Sequence, residues 1–353
     1  MTNQRISNIR NVAALAGVSI ATVSRALQHP DKVREETRRK VFEAVQKVNF
    51  VPNANARNFR QQSNRTVILL VRDIGNPFYL EIYKGVEETA SEAGYKVLMG
   101  DARDDEARVA NYIDLVRQKH ADGLILMTGN FPAELAERPD LLPPIVIASE
   151  TIPGLDLPTA KVDNVAASTE AVRYLIDAGH HEIVHIAGPR PESLAEERLS
   201  GYRQALSDAG IADDENRIVC GDYSIEAGRE AVRRLVAQKT VFTAIFAASD
   251  QMAIGAISEL KQNGLSVPAD ISVVGFDDII FANAFDPPLT TVRQPRRDMG
   301  RRAMELMIQR LDGTKSHDII QLETELIVRG SVAPRRSTGP KPNRRKPAGK
   351  VDI

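Results

Sequence analysis

The chain has a single cysteine, Cys220, among 353 residues. No intramolecular disulfide is possible, and the composition suits a reducing compartment. No apolar run approaches the roughly 18 residues of a membrane span. The first residues, MTNQRISNIRNVAALAG, are polar with one short amphipathic patch, unlike an export leader. These absences predict a cytoplasmic protein. The common catalytic signatures are also missing: there is no GxxxxGK[ST], GxSxG, GxGxxG or HExxH. The expectation is a protein that is not an enzyme, with no cofactor and no metal. His181 and His185 straddle the start of an expected strand, which favours a structural role over a metal site. The carboxylates of DARDDE, 101–106, read as a solvated loop and helix start.

What is present is 42% hydrophobic and 26% charged, enough for two or three globular domains. The net charge of -1 hides a strong asymmetry. Residues 1–65 hold 12 Lys and Arg against 4 Asp and Glu, residues 329–353 hold 8 against 1, and the middle, 66–328, holds 26 against 42. A basic module for a polyanion joined to an acidic body is the simplest reading.

NIRNVAALAGVSIATVSRAL predicts two short helices around a tight turn. Val12, Ala13 and Ala16 fall at helical spacing, Gly17 supplies the turn, and Ser19 is the N-cap of the second helix. This is a helix-turn-helix pattern. In the second helix Val23, Ala26 and Leu27 face inward, leaving Ile20, Ala21, Thr22, Ser24 and Arg25 on or near the outer face. A third helix is expected from about Arg34 to Val48, with Val41, Ala44, Val45 and Val48 completing a small core. On this geometry the second helix enters a major groove. Arg25 can donate two hydrogen bonds to one guanine, worth about 1 to 3 kcal/mol of discrimination. Ile20 and Ala21 suit thymine methyls, and Thr22 and Ser24 suit phosphates.

The order NVAALAGVSIATVSRAL, then REETRRKVFEAVQKVNFVPNANAR, resembles the DNA-binding domain of the lactose-repressor (LacI) family of bacterial transcription regulators. The resemblance runs to about Val332. It implies a homodimer on pseudo-palindromic double-stranded operator DNA, with the segment after the third helix acting as a hinge. In the family this hinge folds into a short helix on DNA, pairs with its dimer mate and wedges an apolar side chain into the minor groove. By position the wedge is Phe59, where the family more usually has leucine, and Asn53, Ala56, Arg57 and Arg60 accompany it as DNA-binding positions. The segment itself is short and polar, so it should be helical only when DNA and a partner supply contacts. An inserted ring unstacks a base step and bends the duplex, a cost offset by extra wrapped surface.

From Thr66 onward apolar runs such as TVILLVRDI, ADGLILMTG, HEIVHIAG and DISVVGFDD alternate with amphipathic stretches such as ASTEAVRYLIDAGH. The pattern predicts two doubly wound parallel α/β sheets, hence two lobes with a cleft between them. Ligands of such sheets lie beyond the C-terminal strand ends. The residues there combine aromatic faces with Asp and Arg, which suits a small polyol or nucleoside. Asn76 and Pro77 read as a helix start facing the cleft; Asp73 follows the first strand, and Glu150 follows PPIVIA beside Ser149. The resemblance implies a fold similar to periplasmic sugar-binding proteins. It also implies effector-binding roles for Phe78, Tyr79, Arg198, Tyr223 and Asp277, with Ser149 and Ser249 at positions that contact ligand in some members.

The expected organisation is a helix-turn-helix domain at 1–51, a hinge helix at 52–64, an effector and dimerisation body at 65–333, and a disordered basic tail at 334–353. Within the body the first lobe takes about 65–162 and 292–320, and the second about 163–291 and 321–333. The segments ATVSRALQHPDKV, LDLPTAKVDN and FDPPLTTVRQPR look closest to the cytidine-regulator branch. Glu192 and Leu194 stand where purine repressors present polar groups to a base, which disfavours a purine. A nucleoside or ribose-like effector follows as the expectation. The tail has no leucine heptad that would indicate a coiled-coil tetramer. A periplasmic-type binding protein with no transcriptional role is the alternative, but that class should carry an export leader and no basic head.

Overall fold

A computed structural model of the chain describes residues 8–50, 63–314 and 317–335. The chain divides into two compact units, Met1–Asn64 and Arg65–Ile353. The anticipated hinge residues 52–62 and most of the tail lie outside the described residues.

In the first unit, α1 (Ile9–Ala16), α2 (Ile20–Gln28) and α3 (Glu35–Lys47) form the three-helix head. The turn between the first two is set by Gly17, whose φ of 65° is strained for residues with a Cβ. Ser19 then starts α2, its hydroxyl accepting from the Thr22 N–H at 3.1 Å. Val12, Ala13, Ala16, Val23, Ala26, Val41 and Ala44 are the buried core, with Leu27, Val45 and Val48 packed against its rim. These are small side chains, so the helices approach closely around a thin core.

The second unit contains two six-stranded sheets. The first comprises β1 (Thr66–Val71), β2 (Lys96–Asp101), β3 (Gly123–Met127), β4 (Ile145–Ala148), β5 (Thr159–Val162) and β11 (Ile319–Leu322), in the order β11-β5-β4-β3-β1-β2. The second comprises β6 (Ile183–Ala187), β7 (Ile218–Cys220), β8 (Ala244–Ala247), β9 (Ser272–Asp277), β10 (Thr290–Arg293) and β12 (Glu325–Ile327), in the order β12-β10-β9-β8-β6-β7. Pairing is parallel except for β12 on β10.

Helices cover both faces of each sheet, which is why central strands such as β1, β3, β4 and β8 read as apolar runs. In β1, Val67, Leu69 and Val71 join the cluster with α4 (Phe78–Glu92), while Ile68 and Leu70 join the one with α5 (Glu106–Arg117). In the second sheet Ile183 packs toward α6 (Asn164–Asp177) and α7 (Ser193–Asp208). Val184 and Ile186 pack toward α8 (Ile225–Ala237) and α9 (Asp250–Gln262).

The chain crosses between lobes three times. It passes from β5 to α6 near Asp163, from β10 to α10 (Arg296–Leu311) through Gln294–Pro295, and from β11 to β12 through 323–324. The last two crossings lie about two residues beyond the positions expected from sequence. Thr290, Thr291 and Val292 are buried in register with Val274, Gly275 and Phe276, which keeps them in the second lobe. Leu322 pairs with Val162, which keeps it in the first.

Candidate functional site

Two surfaces carry the candidate chemistry, one in each unit. In the head, α2 buries Val23 and Ala26 and leaves Ile20, Ala21 and Arg25 exposed, with Thr22 and Ser24 half-buried. Ile20 keeps 45% of its surface in solvent. Ile20 and Ala21 in the first turn and Arg25 in the last are all exposed on α2, which suits groove contact along the helix. The Thr22 hydroxyl sits 2.9 Å from that of Ser19, so it can hold the cap and still meet a phosphate. Asn53, Ala56, Arg57, Phe59 and Arg60 lie outside the described residues.

In the body, the strand ends of both sheets face a narrow cleft. All seven expected effector positions line it: Phe78, Tyr79 and Ser149 from the first lobe, and Arg198, Tyr223, Ser249 and Asp277 from the second. Phe78 and Tyr79 meet edge to face at 5.2 Å. Asn76 also lines the cleft and its side chain accepts from the Phe78 N–H at 2.9 Å, fixing the start of α4. Asp73 instead is exposed and accepts from the Gly75 N–H at 2.8 Å, a local turn outside the cleft.

Arg72 is the residue that sequence reasoning missed. Its guanidinium lies 2.5 Å from Asp104, reaches across the cleft to grip both oxygens of Glu192, and stands 3.9 Å from Glu150. It also stacks over the Tyr223 ring at 5.3 Å. Burial opposes its charge, but the Glu192 bond and the Glu150 and Glu192 charges outweigh this and raise its pKa above the ordinary arginine value. The available signal was a charge placed directly after a fully buried strand.

Glu150 is only 4% exposed and its Oε2 has no hydrogen-bond partner. Burial pushes its carboxyl up to about 7, against the lowering influence of Arg72. The Tyr223 hydroxyl is likewise buried and unpartnered, in space that exists because Gly188 has no side chain. Two orphaned polar atoms in one cleft are what a polar ligand would satisfy.

Arg198 is 2% exposed. It donates to Asn164 Oδ1 at 3.1 Å and to the Ala248 carbonyl, approaches Asp277 at 3.9 Å, and lies 3.7 Å above the Phe276 ring. These buried contacts make it a fixed part of the cleft wall rather than half of a surface ion pair. Burial raises the Asp277 pKa, with Arg198 and Arg296 opposing. Ser249 caps α9 by accepting from the Met252 N–H at 3.2 Å. Ser149, Tyr223 and Asp277 hold positive φ values of 69°, 70° and 124°. Such conformations cost roughly 1 to 3 kcal/mol each and gather at ligand sites.

His185 is fully buried between Tyr202 and Phe246, its Nδ1 3.0 Å from the Phe246 carbonyl. His181 precedes the strand and is exposed, so the two histidines do not converge. Among the described residues no group of three or more His, Cys, Asp or Glu is placed to hold a metal ion, and no helix is long and apolar enough to cross a membrane.

Residues 8–53 match the family of bacterial regulatory proteins known as lacI, and residues 64–327 match the periplasmic binding proteins and sugar-binding domain of the same family. The chain belongs to the LacI family. It is 42% identical over 328 residues to the HTH-type transcriptional repressor CytR of Escherichia coli K12, covering 92% of this chain and 96% of that protein. It is 36% identical over 336 residues to the repressor PurR of Photobacterium profundum, covering 93% and 99%. The solved lac repressor dimer bound to operator and the anti-inducer ONPF has a TM-score of 0.80 at 26% identity, covering 92% of this chain and 99% of that one. The transcriptional regulator CelR in complex with cellobiose has a TM-score of 0.70 at 33% identity, with the same coverage. This LacI-family member is therefore a DNA-binding regulator with an effector-binding body, and neither an enzyme nor a stand-alone binding protein.

Proposed function

We propose that this LacI-family protein is a cytoplasmic, dimeric repressor whose operator affinity is set by a nucleoside or pentose bound between the two lobes. The observation that carries this reading is the cleft itself, where aromatic faces and fixed Asp and Arg groups from both lobes converge. Phe78 and Tyr79 offer surfaces for a base or sugar ring, and Glu150, Asp277 and Arg198 suit hydroxyl and amino groups. Effector binding changes the angle between the lobes, hence the spacing of two hinge segments and the stability of their paired helices on DNA.

On the DNA side, Arg25, Ile20 and Ala21 read bases, Thr22 and Ser24 hold phosphates, and Phe59 is the minor-groove wedge flanked by Asn53, Ala56, Arg57 and Arg60. Residues 1–51 read the operator, 52–64 form the hinge, 65–333 sense the effector and dimerise, and 334–353 add basic charge. Exposed apolar side chains support a second copy: Ile74, Leu80 and Leu98 on the first lobe, and Ile280, Phe281 and Phe285 on the second. A twofold dimer requires a pseudo-palindromic operator.

The test is a thermal-shift screen of the full chain with cytidine, uridine, adenosine, D-ribose and D-glucose, followed by operator binding with the hits. A nucleoside or ribose should raise the melting temperature and change operator affinity. A response to glucose alone would overturn the effector assignment, and failure to retain any genomic DNA fragment at low salt would overturn the regulator reading. Phe59→Ala should abolish operator bending while leaving effector affinity intact; unchanged bending removes the wedge role.

A further inference from the structure

Gln294 occupies the second crossing between the lobes, one residue beyond β10 and two before α10. Its side chain is 2% exposed. The amide Nε2 donates to Asp277 Oδ1 at 2.8 Å, and the amide oxygen is buried with no partner. Asp277 lines the effector cleft, so a single hydrogen bond joins the cleft wall to the chain leaving the second lobe.

The surroundings make this joint stiff. Arg293 donates to Asp278 Oδ2 at 2.7 Å and pairs with Glu325, beside the third crossing, at 3.1 Å. Arg296 donates to the Asp278 carbonyl at 2.6 Å, and Arg329 to Asp278 Oδ1 at 2.6 Å. The corner Asp277–Asp278, with φ of 124° and 54°, is thus gripped by Arg293, Gln294 and Arg296 around the second crossing and by Arg329 just beyond β12. Pro295 fixes its own φ, at -76°, and restricts Gln294 to extended backbone. Few soft torsions remain at this crossing to absorb a displacement of the corner, so the displacement passes into the angle between the lobes.

We propose that Gln294 is the positioning residue that couples the effector cleft to the interlobe crossing. A ligand donor that engages the Asp277 carboxylate competes with the Gln294 amide for it. That amide already carries one unsatisfied buried atom and must re-form its bonds elsewhere, which moves the crossing. The assignment rests on the cleft being the effector site.

Gln294→Leu removes both amide atoms, and Gln294→Met keeps the size but cannot donate to Asp277. In the full-length protein, cytidine affinity by calorimetry should stay within about two- to three-fold of wild type. The cytidine-induced change in operator affinity, read by fluorescence anisotropy, should shrink about five-fold or more. A purely structural role would lower the melting temperature and leave this ratio alone. If Gln294→Leu does not fold, Gln294→Met carries the same test. Retention of the wild-type ratio overturns the coupling role, as does a parallel loss of cytidine affinity and ratio. Should wild-type operator affinity ignore cytidine and every other nucleoside or pentose of the screen, the effector reading fails, and ligand-free operator binding decides the role of Gln294. A shift of about three-fold or more at unchanged melting temperature supports it, and no shift overturns it.

Discussion

The head and the body carry their candidate residues in opposite ways. In the head, Ile20 to Arg25 lie within two turns of one helix, and the proposed base readers are exposed. In the body, seven positions spread from Phe78 to Asp277 are brought together by strand ends of two sheets, and all seven are buried. A solvated side chain can be lost from the head at the expense of binding alone. Loss of a buried charge from the cleft leaves its partners desolvated, so binding and folding suffer together.

The strongest break of that contrast is Arg72→Ala. It strands the Glu192, Glu150 and Asp104 carboxylates and should destabilise the body by about 3 to 5 kcal/mol. Denaturant unfolding of the full chain should show this in the body transition; an effect below about 1 kcal/mol would mean that the cluster relaxes into solvent.

Two pH effects come next, both confined to the body. Burial pushes His185 down from 6.5 to about 4. Below pH 6.5 the unfolded chain takes up a proton that the folded core refuses, so this contribution is lost as pH falls from 6.5 to 4. Replacement by Gln should remove about 3 kcal/mol of acid sensitivity. Glu150 runs the other way. Raised by burial from 4.5 to about 7, it contributes stability that is full below 4.5 and lost as pH rises to about 7. Glu150→Gln should gain about 3 kcal/mol relative to wild type over that window. Measuring each variant minus wild type cancels the other titrating groups, and parallel curves for variant and wild type would refute either assignment.

Smaller effects are expected in the head. Arg25→Ala should weaken operator binding by about 1 to 3 kcal/mol and relax specificity at one base pair, with melting unchanged. A uniform loss on all sequences would make Arg25 a phosphate contact. Ser19→Ala removes the cap on the Thr22 N–H and should cost the head about 1 kcal/mol. Head unfolding followed by amide exchange checks it, with no change in the body.

Much of this was legible in order. Gly17 and Ser19 mark the turn because only particular residue types satisfy a positive φ and an open helix N-terminus. The continuous apolar strands required helices on both sheet faces. Strand boundaries pointed to the residues beyond strand ends, where ligands of parallel sheets lie, and the family resemblance singled out the seven cleft positions among them. Arg72 was not legible, since nothing near it in sequence is its partner: Asp104, Glu150 and Glu192 arrive from 32, 78 and 120 residues away. Gln294 was hidden for the same reason, a polar residue in a linker whose meaning depends on Asp277.

The sequence by itself determined the local events: where helices start and stop, which face of each is apolar, which segments are basic, and that two sheets form. Those depend on spacing and capping within a few residues. Only the tertiary structure decided which charges are buried together, which polar atoms are left without partners, and which crossing residue holds the cleft. Desolvation and pairing act through space, over distances that the order of residues does not encode.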